Sequence, residues 1–379
     1  RMYRSFFYLS IIVVMKRKGA ESVKLSETLT YTDISQLHRL AREWNCECNI
    51  HSKNELIQSL FHHLTNKYQI HQEFLELSSG DKMFLFNLMF EKPREYTKDS
   101  IYAKARQACL KEEEARSYRG MLERALEKGW LFRVSIRQDE KFIVPDEVRK
   151  QWRSLLLHGI QGMRKEEIEG GTIDDGTHHM AQDLEILCNY LKNNHVPFAK
   201  NGAMYRKHIM NLIHLLHVSE ELPTESWRFG YGRRFREYPD RFALIYDFAY
   251  HREWITEDDM MGNVILTERG FQFLEEGINY EQLTKDLFSF WLLSYRRAIP
   301  NIENLTRFIS LLCQNQWVQE RVLVEQLLLF TSGFYYDTPE DVLKKRIITM
   351  LNYFGFLVKT TLCDATCAFT LSPGGETWF

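Results

Sequence analysis

With 379 residues, 44% of them hydrophobic and 26% charged, the chain has the make-up of a globular protein, not a disordered or fibrous one. The formal net charge of −2 offers a polyanion no bulk attraction, so any nucleic-acid surface must be a local patch. The 7 cysteines are scattered and odd in number, which argues for reduced thiols in a cytoplasmic protein and against a disulfide framework.

From the start of the chain, Phe6 to Val14 form an apolar run, far short of the ~20 residues of a membrane span. The basic stretch Lys16-Arg17-Lys18 follows Met15. The expectation is that Met15 is the true initiator and that residues 1–14 are translated upstream sequence or a fragment artefact; a membrane anchor is the alternative. Residues 1–30 are thus read as an N-terminal extension. Residues 31–72 then carry two helical faces, Leu37, Leu40, Ala41 and Trp44 on one, Lys53, Leu56, Ile57 and Leu60 on the other, separated by a turn through Asn49 to Ser52. The pattern resembles a SAP-type motif, which in its families often binds DNA; any helical hairpin of this length shows it too.

Three later stretches repeat one plan: amphipathic helices, an aromatic or glycine corner, then two short strands across a polar turn. The first, residues 73–163, has the helix face Tyr118, Met121, Leu122, Ala125, Leu126, then Gly129-Trp130-Leu131-Phe132-Arg133-Val134 and Phe142-Ile143-Val144-Pro145. A polar, glycine-bearing linker is expected over residues 164–182. The second, residues 183–277, sets Leu184, Leu187, Leu191 and Ile209, Leu212, Ile213, Leu216 at helical spacing. Its hairpin runs from Glu253-Trp254-Ile255 through an acidic turn, Glu257-Asp258-Asp259, to Val264-Ile265-Leu266-Thr267, and Trp227 to Arg241 read as a long loop. The third, residues 278–379, pairs Ile302, Leu305, Ile309, Leu312 with Leu343, Ile347, Met350, Leu351, Phe354, and ends in a hairpin around Asp364-Ala365. Helices followed by a hairpin predict tandem winged-helix domains in a mainly α, α+β chain.

The phrase Gly129-Trp130-Leu131-Phe132 … Phe142-Ile143-Val144-Pro145-Asp146-Glu147-Val148-Arg149 resembles the helicase-associated domain that forms the amino-terminal region of bacterial XPB-type helicases and some stand-alone Gram-positive relatives. Leu266-Thr267-Glu268-Arg269-Gly270 and Leu371-Ser372-Pro373-Gly374 are similar to the "L-T-x-x-G" phrase of the same repeats. The resemblance spans residues 30 to 379 and implies winged-helix architecture and an accessory role beside a helicase, since no helicase motor is present.

No catalytic phrase occurs: no phosphate loop, no third glycine after Gly230-Tyr231-Gly232, no nucleophile elbow, no H-E-x-x-H helix. The pairs Cys46/Cys48 and Cys363/Cys367 lack the spacing of a structural zinc site, and His62/His63, His178/His179 and His214/His217 read as solvated or packed histidines. The expectation is no enzyme, metal or cofactor. Two basic constellations are the candidate DNA contacts. One is Arg116, Arg119, Arg124 and Lys128 on a helix, with Arg133, Arg137 and Lys141 on the wing, balanced by Glu123 and Glu127 if it is only a solvated face. The other is Arg228, Tyr231, Arg233, Arg234, Phe235 and Arg236, where arginines interleave with aromatics that could stack on bases; a loop packed on its own domain is the alternative. DNA binding in repair, recombination or transcription is therefore expected, with a protein-binding scaffold as the competing reading.

Overall fold

A computed structural model describes residues 23–91, 95–109, 118–136, 139–159, 164–165, 173–174, 178–224, 232–362 and 365–376. The chain is mainly helical with small antiparallel sheets, and it divides into two compact units, Arg1–Gln161 and Gly162–Phe379. No helix of the described residues is long and apolar enough to cross a membrane.

The first unit opens with α1 (Leu25–Tyr31), α2 (Ile34–Glu43), α3 (Lys53–Thr65) and α4 (Lys67–Glu76). Three of these starts are written in the sequence. Asp33, Ser52 and Asn66 each accept a hydrogen bond from a backbone amide of the first turn, which satisfies donors a helix leaves open. Next comes α5 (Ser79–Phe90), capped by Ser78 and buried at every position from Gly80 to Phe90 except Lys82. A helix buried on nearly every side is a core helix, and its polar Asp81 is ion-paired with Arg124. β1 (Glu95–Thr97), α6 (Lys98–Ala108), α7 (Tyr118–Glu127), β2 (Phe132–Ile136), β3 (Asp139–Ile143) and α8 (Asp146–His158) complete the unit. β3 lies between β1 and β2, and Trp152 of α8 packs edge-on against Phe74 and Trp130.

The second unit contains α9 (His179–Asn193), β6 (Val196–Pro197), α10 (Arg206–Leu215), α11 (Asp240–His251), β7 (Ile255–Asp258), β8 (Asn263–Leu266) and α12 (Glu268–Glu275), preceded by β4 (Arg164–Lys165) and β5 (Ile173–Asp174). After α13 (Tyr280–Tyr295) follow α14 (Ile302–Cys313), β9 (Trp317–Gln319) and α15 (Glu320–Leu327). A helical stretch then runs through α16 (Pro339–Asp341), a π-helix (Val342–Ile348) and α17 (Thr349–Tyr353), before β10 (Leu357–Thr361), β11 (Cys367–Leu371) and α18 (Pro373–Glu376). Helix, short strand, two helices, hairpin, helix is therefore one order met three times. In each case the second hairpin strand is central: β1-β3-β2, β6-β8-β7 and β9-β11-β10.

The residues expected to be linker enter this scheme. β4 pairs with β9 and β5 with β10, so the two edges of the last sheet are covered by strands from 164–174, and His179 to Gln182 already belong to α9. Paired edges no longer expose a ladder of open backbone groups.

The three corners share one construction. Gly129, Glu253 and Gly355 adopt left-handed backbone conformations at φ +68°, +57° and +73°. The next amides, of Trp130, Trp254 and Phe356, donate to the carbonyls five residues back, Ala125, Ala249 and Leu351, at 3.0, 2.9 and 3.0 Å. This is a Schellman helix end, and the aromatic residue it turns inward is buried each time. The second and third corners are then locked from the hairpin's far side. Thr267 Oγ1 donates to the Glu253 carbonyl and accepts from the Gly270 amide; Ser372 Oγ does the same with Gly355 and Gly375. A Cβ at Gly270 or Gly375 would press on the carbonyl of Trp254 or Phe356. The L-T-x-x-G phrase is thus a packing device, and its counterpart in the third stretch closes on Gly375 rather than Gly374.

Candidate nucleic-acid interface

Arg116 and Arg137 lie outside the described residues. The other cations of the first constellation are mostly engaged inside their own unit. Arg124 makes a forked ion pair with the buried Asp81 (2.7 Å), whose other oxygen accepts from Ser78 Oγ. Lys128 sits between Glu43 and Glu73, at 2.8 and 3.0 Å, with its ammonium over the Trp44 ring. On the hairpin Arg133 pairs with Glu140 (2.9 Å) and Lys141 with Glu95 (2.8 Å). Arg119 is exposed and lies 5.8 Å from the Tyr118 ring centroid. Four cations thus tie the α7 face and the hairpin to their own unit, and α7 leaves Glu123 and Glu127 exposed beside Arg119.

In the second constellation Arg228 and Tyr231 are outside the described residues. Helix α11 begins at Asp240, so the tail of the expected long loop is helical. Arg233 and Arg234 converge on Glu257 at 2.9 and 2.8 Å, and Tyr246 donates to the same carboxylate at 2.9 Å. Burial opposes that charge, yet the bonds from Tyr246 and Arg234 and the two guanidinium charges hold Glu257 below the usual carboxylate range. Glu257 is therefore a strand residue neutralised by the arginines, not part of an exposed acidic turn. The loop is fixed at two further points. The Arg233 amide donates to Asp247 (2.7 Å), and Arg234 Nη1 donates to the Asn201 carbonyl (2.7 Å), where only a glycine at 202 leaves room for the guanidinium. Arg236 is exposed, 5.7 Å from the ring of half-buried Phe235.

The helices that precede the hairpins are largely internal in the second unit. In α11 Arg241 to Tyr246, Phe248 and Ala249 are buried, and only His251 is exposed. Arg241 itself forms a fully buried ion pair with Asp183, which also accepts from the His217 ring and amide. Glu220 caps the start of α11 by accepting from the Arg241 and Phe242 amides at 3.0 Å each, and burial lifts its carboxyl to about 7 despite those bonds.

A different basic surface emerges. From Ile186 to Ser219 the chain holds no aspartate or glutamate. This segment covers the end of α9, β6 and α10, and its Lys192, Lys200, Arg206 and Lys207 are all exposed. None of these four forms an ion pair among the described residues. Two of them, Arg206 and Lys207, sit in the first turn of α10, where a cation opposes the helix dipole and where backbone amides are free to bind an anion. Exposed Asn193, Asn194, Asn201 and Tyr205 flank them. The local field registers on His208, whose pKa is lowered first by burial and then by the charges of Lys207 and His195. No cluster of arginines marks this surface in the local sequence as such clusters mark the other two. Its signal was the missing carboxylates.

Among the described residues, no group of three His, Cys, Asp or Glu is placed to hold a metal, and the six described cysteines are unlinked thiols. No family model matches the chain, and no curated protein is significantly similar to it.

Proposed function

We propose that the protein is a non-catalytic nucleic-acid-binding accessory built from winged-helix modules, and that it binds through the basic surface of the segment 186–219 in its second unit, a segment that itself holds no aspartate or glutamate. The carrying observation is the run of four exposed cations from Lys192 to Lys207 that form no ion pair among the described residues. The thrice-repeated helix, strand, helix, helix, hairpin order supports the winged-helix reading. Winged helices usually read duplex through the third helix. Here α11 is internal, so binding rests on phosphates, with asparagines and Tyr205 as hydrogen-bonding and stacking neighbours. DNA, handled beside a helicase in repair, recombination or transcription, is the substrate this reading favours.

The test is anisotropy binding of the full chain to single-stranded, duplex and forked DNA at two salt concentrations. Micromolar or tighter binding that weakens steeply with salt supports the proposal. No binding to any form at low salt rejects it. For the first unit the scaffold reading has its own support: Arg124, Lys128, Arg133 and Lys141 are already paired with acids, which leaves that face suited to protein contacts.

A further inference from the structure

Beside the fixed loop, between the end of α11, the start of β7 and α13, lies an open cleft of roughly 710 Å³, within the ~300–1,000 Å³ of small-molecule sites. Its lining is aromatic and polar together. The Arg233 guanidinium sits over the Tyr250 ring, 3.9 Å from its centroid. His251 stacks on Phe290 with centroids 5.2 Å apart and planes 28° from parallel. Asp247, Thr256, Thr267 and Glu253, the last ion-paired with Arg269, supply the other polar side chains of the lining.

Asp247 stands out among these. One carboxylate oxygen accepts from the Arg233 amide, while the other is buried with no hydrogen-bond partner among the described residues. An oxygen in that state costs free energy unless something donates to it or it carries a proton itself. Burial indeed lifts the carboxyl to about 7, above the opposing pull of the Arg233 amide and charge. Near neutrality the group can therefore present a donor or an acceptor, as the edge of a heterocycle requires. The cleft also joins the basic surface: Arg233 lines it, while the adjacent Arg234 holds the Asn201 carbonyl, one residue from Lys200.

We infer that this cleft takes one unpaired nucleobase of a single strand whose phosphates lie on the Lys200–Lys207 surface, stacked against the Tyr250 and Phe290 rings and met at its edge by Asp247. The inference rests on the nucleic-acid reading and narrows its substrate to unpaired strands. The flat rings suit any base through its π-face. The nearby Glu257 is neutralised by its two arginines, so it does not repel the strand.

The experiment compares full-length protein binding to a short oligothymidylate and to an abasic strand of equal length and charge, for the natural chain and for Phe290→Ala. The base-bearing strand should bind at least about fivefold tighter, the low end expected of a base–aromatic stack. In Phe290→Ala that preference should collapse while abasic affinity stays unchanged. His251→Ala, at an exposed position, guards against a misfolded Phe290 variant and should reduce the preference too. Equal affinity for the two strands overturns the inference and leaves the phosphate-binding proposal standing. If neither strand binds, saturation-transfer NMR with free thymidine and adenosine decides. Transfer to base protons that is lost in Phe290→Ala upholds the cleft alone, and its absence overturns both.

Discussion

Gly232 and Asp247 fit one another so closely that a Cβ at 232 would collide with the carboxylate oxygen that accepts the Arg233 amide, and one of the two must shift. Gly232 also holds φ at +92°, which only glycine adopts at no steric cost. Gly232→Ala is therefore expected to eject either the loop or the Asp247 carboxylate, lowering stability by about 1–3 kcal/mol. Urea unfolding measures the loss, and Asp247→Ala in the same background should restore part of it by making room. A strictly additive double variant would mean that the two positions do not share the space.

Two carboxyls make stability depend on pH in an unusual direction. Burial raises Asp247 from its ordinary 3.8, and Glu220 from 4.5, each to about 7. Between those values the folded chain holds protons that the unfolded chain has released. Their contribution is fully present below about pH 4 and is lost as pH climbs through about 7. Most acid-sensitive proteins behave oppositely, because their carboxylates are stabilised in the charged form. Denaturant midpoints across this window should fall as pH rises, and Asp247→Asn or Glu220→Gln should each remove part of the slope. An unchanged slope in both variants would place the titration elsewhere.

The corner lock carries a third expectation. Thr267 Oγ1 spans the Glu253 carbonyl and the Gly270 amide, so Thr267→Ala removes a helix cap and frees the end of the hairpin, at a cost of about 0.5–2 kcal/mol. Thr267→Ser retains both bonds, as Ser372 does in the third stretch, and should be nearly neutral. Thermal unfolding of the pair reads the difference directly; equal melting temperatures would show that the hydroxyl bonds contribute nothing.

Features of this kind were legible because they are local. Hairpins at 132–143, 255–266 and 357–371, the caps Asp33 and Ser52, and the aromatic corners at Trp130, Trp254 and Phe356 all follow from residues close in sequence. What escaped the sequence depends on distant partners. Arg124 finds Asp81, Lys128 finds Glu43 and Glu73, and Arg233 and Arg234 find Glu257; no local pattern tells a bound cation from an available one. Likewise Arg164–Lys165 and Ile173–Asp174 read as linker because two-residue edge strands take their order from the strands they pair with. The acid-free segment was visible in the sequence, yet its meaning needed the structure to show all four cations exposed.

The buried pair Asp183–Arg241 joins α9 to the start of α11, and its energetics are asymmetric. Asp183→Ala leaves a guanidinium with no carboxylate in the interior and also removes the acceptor of the His217 amide, so a loss of about 3–5 kcal/mol is expected. Replacing both charges together, Asp183→Leu with Arg241→Met, should cost much less than the single change, since no uncompensated charge remains. Equilibrium unfolding of the three variants separates this from a simple packing loss, which would make the double variant the worst.

The last expectation sets the two groups of cations against each other. Arg124 and Lys128 hold their unit together through Asp81, Glu43 and Glu73, so changing them to alanine should lower stability and leave the salt dependence of the proposed DNA binding intact. Lys200, Arg206 and Lys207 have no acidic partner among the described residues, so alanine there should leave melting unchanged or slightly raised, because two of the three oppose the α10 dipole. Each one lost should reduce the slope of log K against log salt by about 0.7 for a single strand. Binding titrations across a salt series test both halves. If the slope falls with Arg124 and Lys128 instead, the first unit carries the phosphate contacts, and their ion pairs must open when the strand arrives.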